Sequence, residues 1–298
     1  MTVVRRLEQS VGRVFGVGRV RVHPLFLALL VGAYCVHLLS EALVLFLFVV
    51  LHEFGHALVA RSLGYEVEEV ALLPFGGVAQ LSYVRIGFEP RNEAIVAIAG
   101  PFVNLLCVFC ISVLYGFGML PNSLYQSCMN VNMWIATFNL LPGLPLDGGR
   151  IYRAARSRHV GYERATKEAY HMSIGLSAAL MFMGLFALFS GRPHLGMLVL
   201  GLFLLIVAWR GRRDLRMETM RFLDAKRRLD NQGVQRMRTF AVASSTPIRD
   251  VVVQFAPDRY HIVYLLNEDG VVESLVEETE LLDAVFEGRW LEPVSTLR

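Results

Sequence analysis

Long apolar stretches fill the first two thirds of the chain, and a sequence rich in charged residues follows them. Six such stretches occur before residue 210. A helix needs about 20 apolar residues to cross the hydrocarbon core of a bilayer. The pattern therefore predicts an α-helical polytopic membrane protein with about six transmembrane helices, near residues 24–39, 42–63, 94–118, 124–141, 172–189 and 195–209.

The region after Trp209 has a different composition. Residues 210–298 contain 14 Lys and Arg and 15 Asp and Glu, a balance typical of a water-soluble segment. Leu215, Phe222 and Leu229 recur every seven residues among these charges, which predicts an amphipathic connecting helix. Short helix and strand patterns follow it. The expected organisation is a membrane domain, a linker helix and a small α+β domain, over residues 1–210, 211–239 and 240–298.

Basic residues predict the orientation of the chain in the membrane. Five lie in the N-terminal arm and six in the loop after the fourth apolar stretch, whereas the three short connections on the opposite side hold only Arg192. Short cytoplasmic loops are enriched in Lys and Arg. We therefore expect a multi-pass protein of the cell membrane with both termini in the cytoplasm. The formal net charge of +3 is small, and no nucleic-acid partner is implied.

The second apolar stretch contains the run His52-Glu53-Phe54-Gly55-His56. Residues four apart share one face of a helix, so both histidines can reach one metal ion while Glu53 projects beside them. Ionisable side chains are costly inside a membrane helix and usually mark a functional site there. The run therefore predicts a zinc site within, or at the edge of, the bilayer.

Two histidines leave a catalytic zinc ion one protein ligand short, because such sites use three protein ligands and keep a fourth position for water. The fourth apolar stretch ends in a segment, residues 139–150, that contains Pro142 and Pro145. Prolines break the helix there and allow Asp147 to return toward the membrane interior. In the predicted topology this segment and His52 lie in the same leaflet. Asp147 is therefore the best candidate for the third ligand.

These motifs resemble the site-2 protease family of intramembrane zinc metalloproteases, peptidase family M50. The similarity rests on residues 52–56 and 139–149; residues 73–78 resemble the family's re-entrant segment and residues 100–104 its third-helix motif. The resemblance implies hydrolysis of a peptide bond, with Glu53 as the general base that later returns the proton to the leaving nitrogen. It also implies zinc ligands at His52, His56 and Asp147, and substrate-binding roles for Asn139, Phe75, Gly76 and Gly77.

Within this family, six crossings followed by a cytoplasmic domain are most similar to the sporulation proteases that process a membrane-bound pro-sigma factor. The implied substrate is a pro-sigma factor or another membrane-tethered transcription factor, cut near the cytoplasmic face. The bilayer itself, an inhibitory membrane protein and a second copy of this chain are the other partners that the resemblance leaves open.

Residues 240–298 resemble a single cystathionine-beta-synthase (CBS) module, a type of domain that often binds ATP or another adenine nucleotide. The chain departs from that pattern at residues 277–280, where Glu277 stands at the position of the threonine that commonly holds the ribose. Nucleotide sensing and substrate docking therefore stay open as alternatives. Because such modules work in pairs, one copy also predicts pairing between chains.

Three alternatives accompany these hypotheses. A zinc transporter would also place His and Asp in membrane helices, although the position of Glu53 suits a general base better than a permeation ligand. The pair Gly76-Gly77 is equally consistent with a tight turn. For residues 100–104, a helix kink with Asn104 bonded to a neighbouring helix is a simpler interpretation than a catalytic role.

Overall fold

Helices dominate the computed structural model, which describes residues 19–22, 31–35, 37–65, 67–73, 76–81, 89–191, 194–228 and 236–297. The chain divides into two compact units. The first consists of Met1–Ile86, Asn92–Leu141 and Leu146–Ile151. The second consists of Gly87–Arg91, Pro142–Pro145 and Tyr152–Arg298.

The first unit combines long helices with a small sheet. Strand β1 (Arg19–Val22) pairs in parallel with β2 (Val67–Leu73), which pairs antiparallel with β3 (Gly76–Leu81). The strand order is β1-β2-β3, so β3 lies at an edge of the described sheet. The helices are α1 (Leu39–Ser62), α2 (Pro90–Gly116) and α3 (Asn122–Asn139), followed by the start of α4 (Asp147–Val160).

The helices of the first unit bury polar side chains and expose large apolar ones. Asn104 and Asn132 have no solvent-exposed surface, whereas Phe109 and Trp134 are 65% and 70% exposed. A soluble protein shows the opposite distribution. Lipid tails solvate the outward apolar side chains, and inward polar groups can bond across neighbouring helices. The packing therefore fits helices that lie in a membrane.

The second unit contains two long helices and a second sheet. Helices α5 (Tyr162–Phe189) and α6 (Leu195–Arg227) pack along each other. The sheet has the order β4-β5-β6, with a parallel β4–β5 pair and an antiparallel β5–β6 pair. Its elements in chain order are β4 (Met237–Ala243), α7 (Ile248–Val252), β5 (Tyr260–Leu266), β6 (Val272–Glu277) and α8 (Glu278–Phe286).

The second unit has an apolar core at the end of α6. Phe222 and Leu223 are buried there with Phe255, Leu265 and other side chains of the sheet and of α7 and α8. The predicted connecting helix is therefore not separate from the sixth apolar stretch, because α6 runs without a break from Leu195 to Arg227. The hydropathy pattern marks only the apolar part of this helix.

Four of the described helices are long and apolar enough to cross a membrane, namely α1, α2, α5 and α6. Helix α3 forms where the fourth crossing is predicted, but it is not among these four. The first apolar stretch lies largely outside the described residues. The coarse prediction of a multi-pass helical membrane protein is confirmed. Six crossings, the CBS-like module and the predicted domain bounds stay predictions.

Two connecting regions differ from their predicted structure. The connection between the second and third apolar stretches contains strand β2, although no strand was predicted there; a backbone that pairs on both sides satisfies its hydrogen bonds in a sheet. The basic loop predicted after the fourth stretch contains helix α4. The predicted re-entrant segment falls at the junction of β2 and β3, where Pro74 and Phe75 lie outside the described residues.

Candidate metal centre

Two histidines and one aspartate meet at a single point in the first unit. His52 and His56 lie one turn apart on α1, and both are buried. Their Nε2 atoms are 3.1 Å apart. The Oδ2 atom of Asp147 lies 3.1 Å from Nε2 of His52 and 3.2 Å from Nε2 of His56. The structure thus brings together the three residues predicted as zinc ligands.

Asp147 reaches this point because the chain turns sharply after α3. Helix α4 begins at Asp147 itself, and the Leu146 carbonyl accepts the first backbone hydrogen bonds of the helix. The Cα of Gly148 packs directly on the backbone carbonyls of Leu140 and Leu141, and a Cβ atom there would overlap both. Glycine at position 148 therefore allows the chain to fold back closely enough to present Asp147.

Helix α2 supports both histidines through one face. The Nδ1 of His56 lies 2.7 Å from the carbonyl oxygen of Val96, and the Nδ1 of His52 lies 2.5 Å from Oδ1 of Asn104. Gly100 lies on the same helix between Val96 and Asn104, one turn from each. A Cβ atom at Gly100 would overlap Nε2 of both histidines. The imidazoles can therefore approach the α2 backbone only because position 100 lacks a side chain.

The geometry of the three ligand atoms fits a zinc ion. They form a nearly equilateral triangle with edges of 3.1 to 3.2 Å. Bond lengths of about 2.0–2.1 Å in a tetrahedral zinc site place ligand atoms about 3.3–3.4 Å apart. The triangle therefore resembles one face of such a tetrahedron, which leaves a fourth corner.

The chemistry of the donor set also fits a cation. A carbonyl oxygen only accepts hydrogen bonds, so Nδ1 of His56 donates to Val96 and its Nε2 keeps a lone pair. His52 faces the amide oxygen of Asn104 in the same way. Two lone pairs and a carboxylate oxygen thus converge in a buried place, and a divalent cation would turn their mutual repulsion into binding.

Two further charged side chains, those of Glu53 and Arg150, lie near the three ligand atoms. The Glu53 carboxylate interacts electrostatically with both histidines and with Asp147. Arg150 places Nη1 4.0 Å from Oδ1 of Asp147, the carboxylate oxygen that is not directed at the histidines. Glu53 therefore lies beside the cluster, as its position on α1 predicts.

The predicted substrate-binding residues are placed less completely. Asn139 is the last residue of α3, and its side-chain NH2 donates to the Ile135 carbonyl at 3.0 Å. Gly76 and Gly77 begin the edge strand β3 and pair with Leu73 and Leu72. Phe75 lies outside the described residues. The substrate-binding roles of these four residues stay predictions.

Sequence reasoning missed two groups that support the histidines. The Val96 carbonyl has no signature in the sequence, because every residue carries one. Asn132 on α3 accepts from Asn104 at 3.0 Å and is fully buried. Its signal was an amide inside an apolar stretch, since such groups are costly in a membrane unless they find a partner.

Comparison with known proteins indicates a family of metalloproteases. Residues 40–122 match the model of peptidase family M50. Stage IV sporulation protein FB of Bacillus subtilis is 26% identical over 273 residues, which cover 90% of this chain and 91% of that protein. A zinc metalloprotease of Methanocaldococcus jannaschii is 34% identical over 149 residues. That match covers 49% of this chain but only 43% of the archaeal protein, so the chain spans less than half the length of this relative.

The fold agrees as well. The solved structure of a site-2 protease from Methanocaldococcus jannaschii superposes with a TM-score of 0.53 and 29% identity, over 64% of this chain and 89% of that one. These relatives support a metalloprotease and give no support to the zinc transporter considered as an alternative. They give none to adenine-nucleotide binding either.

Proposed function

We propose that this chain, a member of peptidase family M50, is an intramembrane zinc metalloprotease that cuts a membrane-associated protein. The observation that carries the proposal is the buried triangle of His52, His56 and Asp147, whose lone pairs converge inside a helical membrane domain. Family membership alone leaves the ligands unassigned. The triangle supports their assignment residue by residue.

The proposed reaction is hydrolysis of a peptide bond without a covalent intermediate. A zinc ion held by His52, His56 and Asp147 would supply Lewis-acid activation of water and of the scissile carbonyl. Glu53 accepts a proton from the attacking water and returns it to the leaving nitrogen. The Asp147 carboxylate and the histidines' support by α2 hold the site rigid, so that little reorganisation is needed during the reaction.

The substrate must present an extended backbone. A transmembrane helix closes its own carbonyls in hydrogen bonds, so the substrate has to unwind before it is cut. Strand β3 supports the proposed docking mode, because it lies at the edge of the described sheet and packs near α1, the helix that carries both histidines. An unpaired strand edge can add an extended peptide as one more strand. We assign this role to the backbone of Gly76 and Gly77.

For the substrate class, we propose a membrane-tethered transcription factor, with a pro-sigma factor of sporulation as the first candidate. The support is the similarity to Stage IV sporulation protein FB along nearly the whole of both chains. We also propose that both termini and the small domain after residue 240 lie in the cytoplasm, where the domain docks the substrate. The basic residues of the N-terminal arm and of the segment 150–167 support this orientation.

Co-expression with candidate membrane-tethered precursors tests the proposal. We expect a shortened product with the wild type and none with Glu53→Gln, while the purified variant still contains about one zinc ion per chain. Glu41→Gln is the matched control, because Glu41 lies on the same helix, is fully exposed and contacts Ser40. It should cleave like the wild type.

Two results would overturn the proposal. Cleavage by Glu53→Gln at the wild-type rate would reject Glu53 as the general base. Purified wild type without bound zinc would reject the metal site. Cleavage of a different class of membrane protein, with no cut in any transcription-factor precursor, would leave the protease intact and reject only the substrate class.

A further inference from the structure

A chain of hydrogen bonds runs from α3 across α2 to His52. Asn132 donates from Nδ2 to the Cys128 carbonyl at 2.9 Å, and Asn104 donates from Nδ2 to Oδ1 of Asn132 at 3.0 Å. The chain ends at the contact between Oδ1 of Asn104 and Nδ1 of His52. Both asparagines have no solvent-exposed surface. Water therefore cannot substitute for any partner in this chain.

The direction of every bond in the chain follows from its first member. The Cys128 carbonyl only accepts, so the nitrogen of Asn132 must face it, and the oxygen of Asn132 must then face Asn104. That oxygen needs a donor, which fixes the nitrogen of Asn104 on this side. The oxygen of Asn104 is left for His52, whose Nδ1 must donate. The Nε2 of His52 consequently carries its lone pair toward Asp147 and His56.

We infer that Asn132 is a positioning residue of the metal site, which acts through Asn104 to hold His52 in the tautomer that binds zinc. This inference rests on the proposed zinc function. Asn132 itself touches neither a ligand atom nor the place of the metal. Its contribution is to prevent Asn104 from turning its amide around, because a turned Asn104 would direct an N–H group at Nδ1 of His52 and move the ring proton to Nε2.

His56 needs no such device. Its Nδ1 donates to the backbone carbonyl of Val96, which cannot be reversed. The tautomer of His56 is thus set by the fold of α2, whereas that of His52 depends on two side chains whose amides have two possible orientations. A point substitution of a supporting side chain can therefore change the tautomer of His52 but not that of His56.

The affinity for Zn²⁺, measured on the full chain in detergent by competition with a chelator, tests the inference without any substrate. We expect Asn132→Leu to weaken binding about 10- to 100-fold, the range for loss of a group that orients a metal ligand. Asn132→Asp should restore the affinity to within about threefold. In its neutral form the aspartate donates O–H to Cys128 and keeps its carbonyl oxygen facing Asn104.

Ser112→Ala is the matched control. Ser112 on α2 also contacts α3, through Sδ of Met129 at 3.7 Å, and its described hydrogen bonds do not involve the histidines. It should lower thermal stability slightly and leave the zinc affinity unchanged. The absorption spectrum of the Co²⁺-loaded variants gives a second measurement, and Asn132→Leu should change it while Asn132→Asp should not.

The outcomes separate the inference from the proposed function. If the wild type binds no zinc, the proposed function itself fails. If the wild type binds zinc and folded Asn132→Leu binds it equally tightly, the positioning role is rejected and the metal site stands. If Asn132→Asp is as weak as Asn132→Leu, the orientation of the amide is not what matters, and the inference is also rejected.

Discussion

Each unit buries a histidine whose Nδ1 donates to an oxygen, and the difference between them lies at the other ring nitrogen. In the first unit, Nε2 of His52 faces Nε2 of His56 and a carboxylate oxygen. In the second unit, Nε2 of His261 accepts a hydrogen bond from the backbone N–H of Ala256 at 3.1 Å. The first arrangement is complete only with a cation, and the second is complete by itself.

In the cluster around His261, each of His261, Glu278 and Lys226 has at least two polar partners. Glu278 accepts from Nδ1 of His261 at 2.6 Å and from its backbone N–H at 2.9 Å. Lys226 places Nζ 3.0 Å from the other carboxylate oxygen and donates to the Arg259 carbonyl at 2.6 Å. The ring of His261 also stacks on Phe255, with centroids 4.4 Å apart. This cluster is therefore a structural element of the core.

The comparison teaches how to interpret a buried histidine. Burial and a neighbouring carboxylate are common to both clusters, so neither identifies a metal site. The distinguishing feature is a set of lone pairs that converge without a donor, which a packed core avoids because unsatisfied polar groups are costly. Substitutions in the first cluster should therefore affect metal binding, and those in the second should affect folding.

Loss of Asp147 should have the largest effect. Asp147→Ala removes the only carboxylate of the described ligand triangle. Since loss of a group that merely orients a ligand costs about 10- to 100-fold in affinity or activity, loss of the ligand itself should exceed about 100-fold in both. Zinc per purified chain, measured by mass spectrometry of the metal, should fall from about one toward zero. Normal zinc content in this variant would reject the ligand assignment.

A methyl group at Gly100 should have a similar but smaller effect. In Gly100→Ala the new Cβ would lie 2.6 Å from Nε2 of His52 and closer still to Nε2 of His56, so the rings must shift. We expect zinc affinity to fall at least about 10-fold, since even groups that only orient ligands contribute this much. The same chelator competition measures it.

Gly116→Ala provides the control on the same helix. Gly116 is the last residue of α2, and apart from its chain neighbours and the adjoining turn of its own helix, no atom of the described residues lies within 4 Å of a Cβ placed there. This variant should bind zinc like the wild type. Equal losses in the two alanine variants would mean that helix α2 as a whole, and not the space at position 100, limits the site.

Substitution in the second cluster should lower stability and spare the metal. Glu278→Ala leaves Lys226 buried without a carboxylate, and breaking a buried ion pair in this way costs about 3–5 kcal/mol. Chemical denaturation, monitored by hydrogen exchange of the β5 amides, measures this change in the free energy of unfolding. The zinc content should stay at the wild-type level. Glu268→Ala, at an exposed turn, should change stability by less than about 0.5 kcal/mol. Zinc loss in Glu278→Ala would erase the distinction between the two clusters.

The sequence predicted the long helices well because hydropathy reports directly on their surroundings in a membrane. It predicted the ends poorly. Helix α5 begins at Tyr162, ten residues before the apolar stretch predicted from residue 172, since a helix continues into water wherever its residues allow it. Strand β1 was missed because its pairing partner, β2, is distant in the chain, and local pattern does not reveal distant pairing.

The site was predictable to the extent that it depends on spacing. His52 and His56 share a helix face by geometry alone, and Asp147 was identified by its costly position beside a break in α3. The support from α2 depends on how two helices pack, which determines that Asn104 meets His52. The expected bond from Asn104 to a neighbouring helix is present, to Asn132 on α3, and Asn104 also contacts His52 on α1, a candidate zinc ligand.

The smallest predicted effect concerns pH and the second cluster. Burial lowers the pKa of His261 and outweighs both the hydrogen bond that its ring donates to Glu278 and the negative charge of that carboxylate, while the positive charges of Lys226 and Arg238 lower the pKa further. An unfolded histidine has a pKa near about 6.5. Below that pH the unfolded chain binds a proton that the folded chain does not, so stability should fall as pH falls, by up to about 1.4 kcal/mol per pH unit.

His261→Gln isolates this contribution, because glutamine does not titrate while Glu278, Lys226 and Arg238 remain in both proteins. We expect the protection of β5 amides against hydrogen exchange, corrected for intrinsic rates, to decrease more between pH 7 and pH 5.5 in the wild type than in the variant. Parallel decreases would mean that His261 takes up a proton in the folded state. Its Nε2 would then have to give up the Ala256 N–H, and the second cluster would lose the completeness that separates it from the first.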